Sequence, residues 1–407
     1  FVPYPFQNNI HRLPHEDRNR CLDGLIAASK QRQEGPCETF HDWIHRHFGT
    51  GLAEVFLEPY NFKVWAYPPS AMDAAWMGER VPRVDIAKVV DNILQDRDDV
   101  GWGPNATFRF PRGGGTGAIW EAAAQDLDPA RLRLSHAVDQ VDLDAREVHT
   151  SRGIFPFDTL INTMPLDQLV LRCTSKTDGR LDDMKRLARQ LVHSSTHVVG
   201  LGLSGQVPEH LEGKCWMYFP EDDCPFYRVT VFSHYAGENV PDAQSQWSLM
   251  FEVSESPAKP VDDDVVAQTI QGALNTRLIA PDDVILSRFH RRLEYGYPTP
   301  FLGRDQVIDP LQAWLAEHGI LSRGRFGGWK YEVANQDHSL MQGVEAVDRL
   351  LLGVEETTYW HPDLVNQRRN TTRRFGTLPL LDHGDGTTAS RQSPRRARRI
   401  PGSSAAK

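Results

Sequence analysis

The stretch Gln246–Ser256, QWSLMFEVSES, decides the fold class, because it alternates without a break. Trp247, Leu249, Phe251 and Val253 share one face of an extended chain, since successive side chains of a strand point to opposite sides. Working outward, STHVVGLGLSG, KCWMYFPE, FYRVTVFSHY and VILSRFHRRLEYGYP also read as strands. One helix interrupts them, DDDVVAQTIQGALNTRLI, with Val266, Ile270, Leu274 and Leu278 in helical register. Strands in succession with few crossover helices predict an antiparallel sheet.

Further out the period changes. TFHDWIHRHFGTG opens on Thr39 with Asp42 three residues on, a capping-box spacing, and Gly49 or Gly51 can end that helix. A second helix carries Leu52, Val55, Phe56 and Tyr60, and DIAKVVDNIL reads as another. The opening FVPYPFQNN reads as extended, because each proline disfavours helix in the residue before it. Towards the end, Asn335 opens a helix whose stripe is expected to be Leu340, Val344, Val347 and Leu351. The whole is a mixed α/β chain.

Composition narrows the classes of function. The 407 residues are 24% charged and 40% hydrophobic, ordinary for a globular protein that buries a sizeable core. No apolar run is long enough to span a bilayer, so no membrane partner is expected. The residues from Thr371 carry a net +6 against a whole-chain −9, leaving an acidic body of −15 that argues against nucleic-acid binding. That end, with RQSPRRARRIPGSS, reads as a disordered basic tail. Cys21, Cys37, Cys173, Cys215 and Cys224 are odd in number and lack metal-ligand spacing. They read as reduced thiols of a cytoplasmic protein, and no metal is expected. Phe1 replaces an initiating methionine, so the chain is read as processed or as starting within a longer product.

Gly200–Gly205 matches GxGxxG after a strand, but QVPEHLEGK follows where the dinucleotide fingerprint needs a helix, so it is read as a decoy. In GPNATFRFPRGGGTGAIW, three glycines precede a helix and suit close backbone approach to a ligand; a tight packed loop explains them about as well. Tyr4, Phe6, Tyr60, Trp65, Tyr218, Tyr227, Tyr297 and Tyr331 recur beside Gln7, Asn61, Arg80 and Arg228. Phenols and guanidinium forks suit phosphate oxygens and rings suit a base, although any one of these is more often a core or rim residue.

Seven blocks in order, VPYPFQNNI, PYNFKVWA, AWMGERV, WGPNATFRFP, YFPEDDCPFYR, HRRLEYGYPTP and GRFGGWKYEVANQDHS, resemble UDP-galactopyranose mutases of the eukaryotic, fungal-like branch. The resemblance implies an FAD/NAD(P)-binding flavoprotein fold, N-terminally incomplete, with a helical domain and a mostly antiparallel sheet domain. It implies residues 1–8 as a strand of the substrate sheet and 9–102 as the helical domain. Residues 103–170 and 318–366 would build the FAD domain, 171–317 the substrate sheet and 367–407 the tail.

The implied chemistry converts UDP-galactopyranose to UDP-galactofuranose through an adduct of the sugar with N5 of reduced FAD. There is no net redox change, and NADPH reduces the flavin beforehand. Arg80 and Arg228 would bind the pyrophosphate and Asn105 would stand nearest the sugar. Tyr4, Phe6, Gln7, Asn61 and Trp65 would form the uridine pocket, with Tyr218, Tyr297 and Tyr331 offering hydroxyls. Val138, Arg325, Asn335, Gln336 and Ser339 would hold FAD. The chain departs from the family after FRFP, where Arg112 precedes Gly113-Gly114-Gly115-Thr116-Gly117 one position from its expected place. The FAD fingerprint expected ahead of Phe1 is missing from the sequence, so these 407 residues alone are expected not to retain FAD. Two other readings compete: an inactive truncated homologue that binds nucleotide sugar, and an amine-oxidase-like flavin oxidoreductase. Whether the protein is a homo-oligomer is left open.

Overall fold

Thr39 and Asp42 start a helix as their spacing requires. Thr39 Oγ1 accepts the Asp42 N–H at 3.0 Å, and the Asp42 carboxylate accepts the Thr39 N–H at 3.2 Å. The computed structural model describes residues 1–30, 35–77, 84–100 and 108–366. Its first part is helical: α1 (His15–Lys30), α2 (Phe40–Leu52), a π turn at Ala53–Leu57, α3 (Glu58–Trp65) and α4 (Ile86–Gln95). Gly49 interrupts the helix as the sequence suggests, and Gly49 and Gly51 also let it pack closely on α1. Gly49 kinks α2 with φ 72°, and a Cβ there would stand 2.1 Å from the Gly24 carbonyl oxygen of α1. A Cβ on Gly51 would stand 2.1 Å from the Arg20 carbonyl oxygen, so the two helices touch through backbone.

Residues 1–8 are not a strand. Pro5 opens a 3₁₀ turn over Phe6–Asn8 instead, with Asn8 N–H donating to the Pro5 carbonyl at 3.1 Å. The Asn9 amide then ties the turn to the carbonyls of Pro5 and Asp99, at 3.0 and 2.9 Å. Phe6 of this segment packs at the margin of the helical core, and Tyr4 meets Tyr218.

Next come α5 (Gly117–Gln125), β1 (Val138–Asp142), β2 (Glu147–Thr150), β3 (Gly153–Pro156), β4 (Leu160–Asn162), α6 (Leu166–Arg172), β5 (Cys173–Thr174) and α7 (Leu181–Ala188). The strands β3-β2-β1-β5 form a small sheet in that order. The long strands follow: β6 (His193–Ser204), β7 (Trp216–Tyr218), β8 (Arg228–Val231), β9 (Gln246–Glu255), then α8 (Val265–Asn275) and β10 (Ile285–Pro298). They make a five-stranded antiparallel sheet in the order β10-β6-β9-β8-β7. Gly200–Gly205 lies within and just past β6, with no helix after it to receive a pyrophosphate, and Glu209–Leu211 forms only a 3₁₀ turn.

The chain closes with α9 (Arg304–Glu317), β11 (Ile320–Ser322), α10 (Arg325–Gly328), α11 (Gln336–Leu352), α12 (Thr357–Trp360) and α13 (Pro362–Val365). β11 pairs in parallel with β4, Ile320 beside Leu160, and so joins two pieces about 160 residues apart in sequence.

The apolar stripes read on two helices fare differently. On α8 the expected stripe does face the large core, with Leu278 fully buried just past the helix and Val266, Ile270 and Leu274 packed against the core, while Val265, Thr269, Gly272 and Ala273 lie deepest. The reason is close approach: a Cβ on Gly272 would stand 2.8 Å from the Cys224 Cβ. On α11 the expected stripe is largely outside, with Leu340 53%, Val347 42% and Leu351 75% exposed. Gln342, Glu345 and Ala346 are buried instead. The polar face turns in because it satisfies backbone groups. Glu345 accepts the Thr358 N–H at 2.8 Å, and Gln342 donates to the Val333 carbonyl at 2.7 Å while accepting from Gly324 N–H at 2.7 Å.

Three cores result: one on the inner face of the large sheet, one among the N-terminal helices, and one around α6, α7 and α9. The five cysteines are all free thiols. Among the described residues no helix is long and apolar enough to cross a membrane.

Candidate active site

The predicted aromatic residues come together where α3, β7, β8, β10 and the turn before α11 meet. Phe6 stacks on Phe56 with centroids 4.2 Å apart, and Phe56 stacks on Tyr60 at 5.1 Å. Tyr60 then meets Tyr218 edge-on at 5.2 Å, and Tyr218 faces Tyr4 at 6.0 Å. On the other side Trp65, Tyr297 and Tyr331 form a triangle, with Trp65–Tyr331 at 4.7 Å, Trp65–Tyr297 at 5.6 Å and Tyr297–Tyr331 at 5.7 Å. Trp65 is only 2% exposed, so it lies beneath the two tyrosines as their support. Gln7 is buried in the opening turn. Asn61 is half-buried on α3 and donates to the Leu57 carbonyl at 2.7 Å.

Arg228 on β8 stands among these rings. Glu252, its neighbour on β9, holds it by two bonds, from Nε at 2.8 Å and from Nη2 at 2.7 Å. The Tyr227 hydroxyl donates to the same carboxylate at 2.6 Å. Burial opposes the Arg228 charge, and the neighbouring Tyr297 oxygen and Glu252 carboxylate outweigh it, raising its affinity for the proton. Burial pushes the Tyr60 and Tyr218 phenols up, so at neutral pH both remain O–H donors. A fixed cation among neutral hydroxyls and ring faces suits an anion carrying a flat aromatic group.

Arg325 connects this cluster to the start of α11. Its guanidinium carbon lies 4.9 Å from the Tyr297 ring centre and 5.7 Å from that of Tyr331, while Nη1 donates to the Ala334 carbonyl at 3.2 Å. Asn335 caps α11 without a side-chain bond to it, and Asn335, Gln336 and Asp337 are exposed. The first-turn amides thus point outward at the positive end of a helix dipole. Ser339 stands one turn further on, and Val138 begins β1, packed at the margin of the core that also holds Phe326 and Trp329. Arg80 and Asn105 lie outside the described residues.

Sequence reasoning missed the groups that hold the site. Glu252 sits on the second face of β9, where Ser248, Glu252 and Ser254 are buried as well. Period-2 alternation marks one face as apolar and says nothing of a polar face that is also covered. Arg304 fixes the turn before α11, donating to the Glu332 carboxylate at 2.8 and 2.6 Å. Neither partner is near the other in sequence, so only the fold could reveal the pair.

A mixed α/β fold carrying a cluster of rings about one arginine is that of the flavoprotein class, as its structural neighbours show. An Exiguobacterium protein assigned as a protoporphyrinogen oxidase shares the fold, with TM-score 0.57 at 17% identity over 84% of this chain and 73% of its own. A crystal structure of reduced UDP-galactopyranose mutase is far more similar, with TM-score 0.87 and 47% identity over 90% of this chain and 78% of its own. The chain belongs to the UDP-galactopyranose mutase family. No protein-family model matches it.

Proposed function

We propose that the protein interconverts UDP-galactopyranose and UDP-galactofuranose with reduced FAD and without net redox change. The observation that carries this is Arg228, clamped by Glu252 among Tyr60, Tyr218, Tyr297 and Tyr331, in a chain of this family. The guanidinium edge bearing Nε and Nη2 faces Glu252, so the opposite edge, Nη1, is directed to the pyrophosphate. Tyr218, Tyr297 and Tyr331 donate to its remaining oxygens, and the Phe6–Phe56–Tyr60 stack with Gln7, Asn61 and Tyr4 receives the uridine. By the family resemblance Arg80 gives the second cation and Asn105 contacts the sugar.

The residues at the start of α11 fit a flavin. Arg325, Asn335, Gln336 and Ser339 would hold it, with Val138 on the adenosine side, and the helix end favours the anionic reduced form. When bound, reduced FAD supplies the nucleophile for the anomeric carbon. The protein holds the leaving UDP near that carbon, so that the same diphosphate is in place to return. We further assign the chain to the eukaryotic, fungal-like branch, with NADPH as reductant, and place its work in the cytoplasm ahead of cell-surface glycan synthesis. Residues 9–102 act as the helical domain and 171–317 as the substrate sheet, and 103–170 with 318–366 carry FAD.

The test is formation of UDP-galactofuranose from UDP-galactopyranose by the FAD-loaded protein, with and without dithionite. Turnover is expected only after reduction, and no oxidised sugar should appear. Equal turnover with oxidised FAD would overturn the assignment.

A further inference from the structure

We propose that His41, His45 and Glu58 form a binding site for a transition-metal dication of the zinc class, apart from the nucleotide-sugar residues. His41 and His45 stand one turn apart on α2, with ring centroids 4.3 Å apart. Glu58, the first residue of α3, reaches both of them. Its Oε1 contacts His41 Nδ1 and lies 3.2 Å from His45 Nε2. One ligand atom from each residue lies within 4.8 Å of the other two.

Two imidazoles one helical turn apart and a carboxylate from the next helix are a donor set that zinc uses when it keeps a position for water. Bonds of about 2.0–2.2 Å to nitrogen and oxygen place neighbouring ligand atoms of a tetrahedral site about 3.3–3.5 Å apart. The 3.2 Å between Glu58 Oε1 and His45 Nε2 is close to that spacing, and an ion would part His41 from Glu58 to reach it. The side chains are 43%, 30% and 29% exposed, which gives an ion its entry. His41 and Glu58 also line an open cleft of about 410 Å³ with Pro59, Phe62 and Ser70, which leaves room for water as the remaining ligand. A carboxylate oxygen approached by two imidazole nitrogens can be a plain ion pair, but that reading predicts no saturable affinity for a dication.

An ion here would tie α2 to α3 across the π turn Ala53–Leu57 and so stabilise the folded state by mass action. The test is calorimetric titration of the untagged, chelator-stripped full chain with ZnCl2 at pH 7.5, with melting curves in parallel. One zinc per chain and a raised melting temperature are expected. His45→Ala and Glu58→Gln should each weaken binding at least about ten-fold, the loss that even an outer-shell partner costs. His47→Ala should change nothing, because that ring is bonded to the Trp43 carbonyl instead. Circular dichroism of each variant establishes that it is folded. Absence of saturable zinc binding, or equal affinity in the wild type and in His45→Ala, would overturn the proposal.

Discussion

Arg228 has two roles that one substitution would mix. It donates twice to a Glu252 that is only 8% exposed, and in the proposed function its other edge binds the pyrophosphate. A charge-assisted hydrogen bond contributes about 1.5–3 kcal/mol, so Arg228→Ala should weaken UDP binding by about one to two orders of magnitude. It should also lower the melting temperature, because Glu252 is left buried without its cation. Arg228→Lys should recover much of the stability and little of the affinity, since the fork geometry is lost. Calorimetry with UDP and a thermal melt separate the two effects, and unchanged affinity in both variants would remove Arg228 from the site. Lys259 gives a pH dependence of definite sign. Burial, then the nearby Lys63 charge, lower its pKa to about 8, against a partial pull upward from Glu255. Its ammonium donates to the Ser254 carbonyl at 2.6 Å. Below about pH 8 it is charged in folded and unfolded chains alike, and the cost of burying it is complete. Between about 8 and the ordinary lysine value near 10.4 the unfolded chain holds more protons, so stability rises with pH. Denaturant melts at pH 7.5 and 10 should show the wild type gaining on Lys259→Met, and a constant difference would contradict this.

At the scale of elements, the sequence was most legible where a local pattern has one physical meaning. The Thr39–Asp42 spacing can only cap a helix, and the alternation of Trp247, Leu249, Phe251 and Val253 puts all four in the large core. It told only part where a pattern has two uses. Gly49 does break the helix as its pattern suggests, and with Gly51 it also lets α1 and α2 meet backbone to backbone. Gly51→Ala is therefore expected to cost about 3 kcal/mol, the upper end of overpacking, although alanine favours helix. A stability gain in that variant would show the contact to be slack. The α11 stripe misled because apolar spacing reports which face lacks charge, while burial here follows hydrogen bonds to the neighbouring turn. Glu345→Ala, which strips the bonds from the Thr358 N–H and hydroxyl, should cost about 1–3 kcal/mol. Leu351→Gln on the exposed side should stay within about 0.5 kcal/mol. Denaturation of both variants checks which face is held, and the reverse order of losses would restore the face read from sequence.

Across the whole molecule, the site is assembled from segments that run from Tyr4 to Ser339, and its parts were legible only as blocks of unusual composition. The structure brings the tyrosines, Arg228 and Arg325 of those blocks into one cluster, whereas the pairs that hold them were not legible, because ion-pair partners across a fold leave no local trace. The turn carrying Tyr331 shows what such a pair does. Tyr331 packs on Trp65 from the helical core and on Tyr297 from the large sheet, while its neighbour Glu332 is bonded to Arg304 of α9, beside the third core. One buried pair thus sets a residue that touches two other bodies of packing. Arg304→Met takes from the buried Glu332 the guanidinium that donates to it twice and should cost about 3–5 kcal/mol. The double variant Arg304→Met/Glu332→Leu removes both charges and should regain most of that loss, since apolar replacement of a buried pair is often neutral. Its UDP affinity should nevertheless stay below that of the wild type, because the turn has lost the two directed bonds that place the Tyr331 hydroxyl. Stability and affinity measured on the same two variants decide between anchoring and positioning. Affinity that returns together with stability would show that packing alone sets Tyr331, whereas recovered stability with weakened binding assigns its placement to the Arg304–Glu332 pair.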